Sequence, residues 1–168
     1  MGTKNSMRRN PRVTHVRYSP GMQHSQTNAT ILLVSPFDED HQALRRIFNV
    51  IERFDWHIRF ARTCQEAWMA LRREQVDAVI AESDFPDGLT WRELLGEVAD
   101  MGAHQPVIVA TRRADERLWA EVLNLGGYDL LLKPFDTEET VRVLAMAMRQ
   151  AQNTRQPRPR RVAAAAVA

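Results

Sequence analysis

The stretches "AVIA" (78–81) and "PVIVAT" (106–111) are apolar at nearly every position. A strand with one wet face alternates apolar and polar residues, whereas a continuously apolar strand belongs in a sheet covered on both sides. That demand narrows the fold of the 168-residue chain more than any other feature. The remaining sequence supplies what such a sheet needs. "ATILLV" (29–34) is a β-branched run ended by Pro36, "WHIRFA" (56–61) alternates as an edge-side strand would, and "YDLLL" (128–132) reads as a fifth strand. Asp38 reads as an N-cap ahead of Leu44, Ile47, Phe48 and Ile51 at helical spacing. Thr63 and Glu66 form the capping box of a helix that turns Ala67, Ala70 and Leu71 inward. After Pro86–Gly88, residues 90–100 place Leu94, Leu95 and Val98 on one side. Residues 114–125 place Leu118, Val122 and Leu125 on one face, with Gly126 as a left-handed stop. Asp136 and Glu139 cap a last helix whose inward face is Val141, Leu144, Ala145 and Met148.

Alternating strand–helix pairs with short loops predict an α/β fold: a flavodoxin-like, doubly wound (βα)5 domain with parallel strand order 2-1-3-4-5. In such a sheet the ligand crevice opens at the carboxyl ends of strands 1 and 3. That edge carries Ser35, Pro36 and Phe37 after strand 1, Glu82–Asp84 after strand 3, Thr111 after strand 4 and Lys133 after strand 5. A carboxylate, a hydroxyl and an ammonium in one crevice suit phosphoryl chemistry. The carboxylate can take the group as an acyl phosphate, and the other two bind its oxygens as donor and point charge.

The net charge of +2 is unevenly spread. Residues 1–29 hold Lys4, Arg8, Arg9, Arg12 and Arg17 with no acid, and residues 149–168 hold Arg149, Arg155, Arg158, Arg160 and Arg161 with no acid. The stretch between them has 13 basic and 21 acidic side chains, so the globular part is acidic. The expected organisation is a disordered basic tail over 1–29, a domain over 30–151, and a disordered Arg/Pro/Ala tail over 152–168. No apolar run nears the ~20 residues of a membrane span, and the basic N-terminus lacks a signal peptide's apolar region. Cys64 is the one cysteine. A reducing, cytoplasmic setting without membrane insertion is expected.

"LLLKPFDTEE" (130–139), "VIVAT" (107–111) and "VDAVIAESDFPDG" (76–88) give the crevice a family likeness. Residues 30–150 resemble the receiver domain of bacterial two-component response regulators, chemotaxis-regulator-like in form. Lys133-Pro134-Phe135 matches the family's K-P-F after strand 5, and Thr111 matches its Thr/Ser position after strand 4. Glu82 falls at the phosphoacceptor aspartate. The resemblance implies a non-enzymatic phosphorelay module, a cis peptide before Pro134, and protein partners: a sensor histidine kinase or a downstream effector. It also implies a homodimer or kinase contact through residues 114–150. With 18 residues left after the last helix, no output domain is expected to follow.

The departures from that pattern carry chemistry of their own. Ser35 and Pro36 replace the acidic pair that holds Mg²⁺ in the family, and Leu130 replaces the switch aromatic. Mg²⁺ wants near-octahedral oxygen ligands, and without it a transferring phosphoryl group loses most of its charge neutralisation. Glu82 is one methylene longer than aspartate, and displacements near ~1 Å can cost roughly 100-fold. An atypical pseudo-receiver with little ordinary phosphorylation and no Mg²⁺ or other cofactor is therefore expected. Glu82 either reaches Lys133, partly filling a phosphoaspartate's space and fixing one state, or stands as a solvated acid. Tyr128 is read as sharing the strand face of Leu130.

Other residues read more simply. Asp84 suits a turn rather than a phosphoacceptor. Asp38, Glu39 and Asp40 are explained by capping and the helix dipole more readily than by a rebuilt metal site. His15, His24, His41, His57 and His104 lack ligand spacing, so no metal is assigned to them. Trp68, Trp91 and Trp119 read as helix packing, and Cys64 as a small helix residue. A flavodoxin-type cofactor carrier is disfavoured because "SPFDED" (35–40) has no glycine and three acids. The alternative function is an adaptor that meets nucleic acid or an anionic surface with its basic tails, though the acidic middle makes nucleic acid an unlikely partner.

Overall fold

A computed structural model of the chain describes residues 28–51, 54–102 and 104–155. Five strands alternate with five helices: β1 (Ala29–Val34), α1 (Asp38–Val50), β2 (Trp56–Ala61), α2 (Cys64–Arg73), β3 (Ala78–Glu82), α3 (Trp91–Asp100), β4 (Val107–Thr111), α4 (Glu116–Asn124), β5 (Asp129–Leu132) and α5 (Thr137–Arg155). All strand pairs are parallel and the sheet order is β2-β1-β3-β4-β5. The flavodoxin-like architecture is as the alternation predicts. Every residue of β3 and β4 is buried, because each strand lies between two neighbours and beneath helices on both faces.

Two apolar layers sandwich the sheet. Leu32, Val34, Val79, Ala81 and Val109 pack with Leu71, Trp91, Leu94, Val98 and Val122 on the α2–α3–α4 side. Ile31, Leu33, Ile80, Ile108 and Leu131 pack with Leu44, Val143, Leu144 and Ala147 on the α1–α5 side. Each fully buried aliphatic side chain contributes about 1.5–3 kcal/mol, so the alternation within β1 drives both layers at once. Among the described residues no helix is long and apolar enough to cross a membrane.

Helix ends follow their caps. Thr63 Oγ1 accepts from Glu66 N at 3.1 Å, but the Glu66 carboxylate reaches back to Arg62 N at 2.7 Å rather than to Thr63. Thr90 and Glu93 form a complete capping box on α3. Asp136 accepts from Glu139 N at 2.9 Å. Gly126 has φ +94° and stops α4 in the left-handed region.

Four expectations need correction. Asp38 is not the N-cap of α1: Phe37 holds that place, and Asp38 lies in the first turn with its carboxylate on Arg62. Ser35 Oγ accepts from Phe37 N at 3.2 Å and starts the helix one residue early. Leu125 is half-exposed, because it ends α4 just before the chain turns at Gly126. Tyr128 does not share a face with Leu130; it precedes β5 and packs on the α1–α5 layer, while Leu130 packs on the opposite one. α5 continues through Arg155, past the expected start of the second tail, since no breaker precedes Pro157. Residues 1–27 and 156–168, with His15 and His24, lie outside the described residues.

Candidate functional site

The carboxyl ends of β1, β3, β4 and β5 meet at one edge, where β-sheet register sets who faces whom. β1 delivers Ser35, β3 ends on Glu82, β4 ends on Thr111, and Lys133 follows β5 with its N–H bonded to Thr111 O at 2.8 Å. The Lys133–Pro134 peptide is cis. Glu82, Thr111, Lys133, Ser35 and Asp40 are all buried, each no more than 6% exposed. Charges so withdrawn from water must find partners.

They find one another. Lys133 Nζ donates to Glu82 Oε2 in a short hydrogen bond and to Asp40 Oδ2 at 2.7 Å. Ser35 Oγ donates to that same Asp40 oxygen at 2.6 Å. The second Glu82 oxygen accepts from Ser83 N at 2.9 Å and lies 3.1 Å from Ser83 Oγ. His41 Nε2 lies 2.8 Å from Ser35 O and its ring packs tilted against Phe60, centroids 4.6 Å apart. Above the centre, the Phe37 ring lies 4.9 Å from Lys133 Nζ and 5.3 Å from the Arg112 guanidinium. Arg112 in turn pairs with Glu39 at the start of α1.

Of the residues singled out from sequence, Glu82, Lys133 and Ser35 therefore meet. Thr111 does not join them: its hydroxyl is taken by the backbone of Arg113, accepting from N at 3.2 Å and donating to O at 3.4 Å. Pro36 contributes its carbonyl to Arg62 at 3.3 Å. Asp84 makes a bridge to Thr90 and accepts from Ser83 Oγ at 2.9 Å, as a turn residue would. Trp91 is core and Trp68 packs against it, but Trp119 is half-exposed and leans on Asp129. Cys64 opens α2 and is buried.

Asp40 is the residue sequence reasoning underrated. Capping and the dipole explain an acid in a first turn, yet they leave it exposed, whereas Asp40 is 5% exposed and holds Lys133 across 93 residues of chain. The helical period does carry a signal. Asp40, Ala43, Leu44 and Ile47 form an i, i+3, i+4, i+7 set, which puts Asp40 on the inward stripe.

Residues 31–145 match the response regulator receiver domain family. Among curated proteins, the two-component response regulator ARR10 of Arabidopsis thaliana is 31% identical over 106 residues, 61% of this chain and 18% of its own length. The KDP operon transcriptional regulatory protein KdpE of Escherichia coli strain K12 is 30% identical over 122 residues, 72% of this chain and 53% of its own. The chain thus spans little more than half of one and under a fifth of the other. Among solved structures, the signal receiver domain of an HD domain-containing protein from Pseudomonas fluorescens Pf-5 superposes with a TM-score of 0.67 at 26% identity, over 76% of this chain and 92% of that one. The chemotaxis response regulator CheY4 of Vibrio cholerae does so at 0.64 and 20% identity, over 72% and 99%, a likeness of fold alone. With its doubly wound sheet and its lysine and threonine at the expected strand ends, the chain belongs to the response regulator receiver domain family of two-component signalling.

Proposed function

We propose that this receiver signals through protein contacts from a centre held by an ion-pair triad in place of a phosphorylated aspartate. One observation carries the reading: Lys133 is already bonded to both Glu82 and Asp40. A phosphoryl group arriving at Glu82 would have to displace that ammonium from both carboxylates. Here the ammonium's charge is spent on two buried carboxylates, and Phe37 lies over it.

The donor set does not suit Mg²⁺ either. The cation asks for near-octahedral oxygens around it. Ser35 Oγ is engaged with Asp40, Pro36 offers no side-chain donor, and the two available carboxylates each face an ammonium that would repel a cation.

Glu82 thus stands in the place of a charged, Lys-bound phosphoaspartate and fixes one conformational state. Intact-mass measurement after acetyl phosphate and Mg²⁺ tests this. The natural chain is expected to gain nothing, and a labile gain of one phosphoryl group would refute the reading. A complementary measurement compares Glu82→Gln with the natural chain by amide hydrogen exchange. Loosening of the loops after β3 and β4 is expected; unchanged protection there would argue that Glu82 fixes no state.

The partner face follows from the same fold. α4 and α5 flank the edge strand β5, and Trp119, Leu132 and Met146 are each about half-exposed there. A sensor kinase, an effector or a second copy of the chain would dock on this apolar face.

A further inference from the structure

On the α3–α4 side of the triad, and sharing Glu82, Thr111 and Phe37 with the site described above, lies a recess of about 510 Å³. Its size falls within the roughly 300–1,000 Å³ of small-molecule sites. Two features of its lining point to one kind of ligand. The floor and wall are apolar and partly aromatic: Trp91, Leu118 and Phe37. The rim carries three guanidinium groups, Arg92, Arg112 and Arg113, against two carboxylates, Glu82 and Asp84.

Most of these charges are already paired. Glu82 is already bonded to Lys133. The acids that pair with Arg92 and Arg112, namely Glu121 and Glu39, belong to α4 and α1 and are not part of the lining. Arg113 takes part in no ion pair among the described residues. Its backbone is pinned to the Thr111 hydroxyl, so the residue's position is fixed while its fork of donors stays available. Arg92 lies 4.8 Å over the Trp91 ring, and Arg112 lies 5.3 Å over Phe37. Those stacks hold two guanidinium planes at the rim. Planar guanidinium groups bind carboxylate or phosphate through paired hydrogen bonds and stack on flat rings.

We infer that this recess binds a small aromatic oxyanion non-covalently, its ring against Phe37 and Leu118 and its carboxylate or phosphate on Arg113. Such a ligand would touch the loop between β4 and α4, which carries Arg112 and Arg113. The site uses neither the Lys133 ammonium nor any covalent step, so it stands or falls apart from the triad reading, which the intact-mass measurement decides.

The test is a titration of the full chain, followed by ¹H–¹⁵N correlation spectra, with phenyl phosphate, benzoate and inorganic phosphate as probes. Saturable shifts at Ser83, Arg113 and the Trp91 indole are expected with phenyl phosphate and benzoate, and at least tenfold weaker binding of inorganic phosphate, which lacks the ring. Arg113→Ala is expected to weaken phenyl phosphate at least tenfold. Arg113 is exposed, so spectra elsewhere should be unaltered. Asp84→Asn, which removes a repelling charge from the rim, should tighten it. Absence of saturable shifts with either aromatic probe, or equal affinity in natural chain and Arg113→Ala, overturns the inference.

Discussion

Lys133 serves two acids at once, and the energetics of such a centre are lopsided. Removing the shared cation strands two carboxylates beneath the protein surface, whereas removing one acid leaves a paired lysine. Lys133→Met is therefore expected to cost about 3–5 kcal/mol, and Glu82→Gln about 1–2 kcal/mol, since Asp40 retains the ammonium. Urea denaturation of the two variants checks this, and equal losses would mean that Lys133 does not organise the centre. The sequence showed only half of this centre. Glu82 and Lys133 sit at strand ends, where the doubly wound topology announces them. Asp40 meets Lys133 from the first turn of α1, where its place on the inward stripe was the one local sign that it is buried. Cys64 offers a second prediction at this scale. Burial, aided by Asp87, Glu93 and Glu97 nearby, pushes its thiol from 9.0 up to about 12. A thiol whose pKa is raised on folding stabilises the fold below its unfolded value and loses that contribution as pH climbs from about 9 to about 12. At pH 8, labelling of Cys64 by a thiol reagent should proceed only as fast as the chain opens; prompt native-state labelling would contradict the burial.

At the scale of elements, periodicity and caps located every strand and helix, because buried parallel strands and amphipathic helices write their partners into every turn. What periodicity could not give were the ends. Leu125 fits the apolar stripe of α4, yet the helix stops at Asn124 and the turn swings that side chain into solvent. Two glycines show how differently one residue type is used. Gly96 lies within α3 with open space where a Cβ would stand, and it carries only the entropic cost of glycine in a helix. Gly127 has its N–H on Val122 O at 2.8 Å, and a Cβ there would come within 2.6 Å of Val122 Cγ1 and 2.9 Å of its carbonyl oxygen. Gly96→Ala should raise stability by about 0.5–1 kcal/mol, while Gly127→Ala should lower it by about 1–3 kcal/mol through overpacking at the α4–β5 turn. Thermal melts of the pair decide the matter, since opposite signs are required.

On the scale of the whole molecule, the sheet is asymmetric in a way that bears on association. Among the described residues neither edge strand has a further strand beside it, and the two edges differ in chemistry. β2 alternates, and its exposed positions His57 and Arg59 are polar, with Arg59 paired to Glu74, which discourages a second chain from adding to it. β5 is short, and around it exposed side chains are apolar: Trp119 and Leu123 on α4, Leu132 on the strand itself, Met146 on α5. An apolar face of this kind on an otherwise acidic domain is where another protein gains most by excluding water. If the chain pairs with itself there, a single charge placed in the middle of the face must be repeated in both copies and repel across the interface. Met146→Glu places that charge on an exposed position of α5, away from both core layers, so the fold should persist. Sedimentation velocity over a concentration series is expected to show concentration-dependent dimer in the natural chain and monomer in the variant. A natural chain that stays monomeric throughout would assign the face to a different protein, and a variant that still dimerises would move the contact elsewhere on the surface.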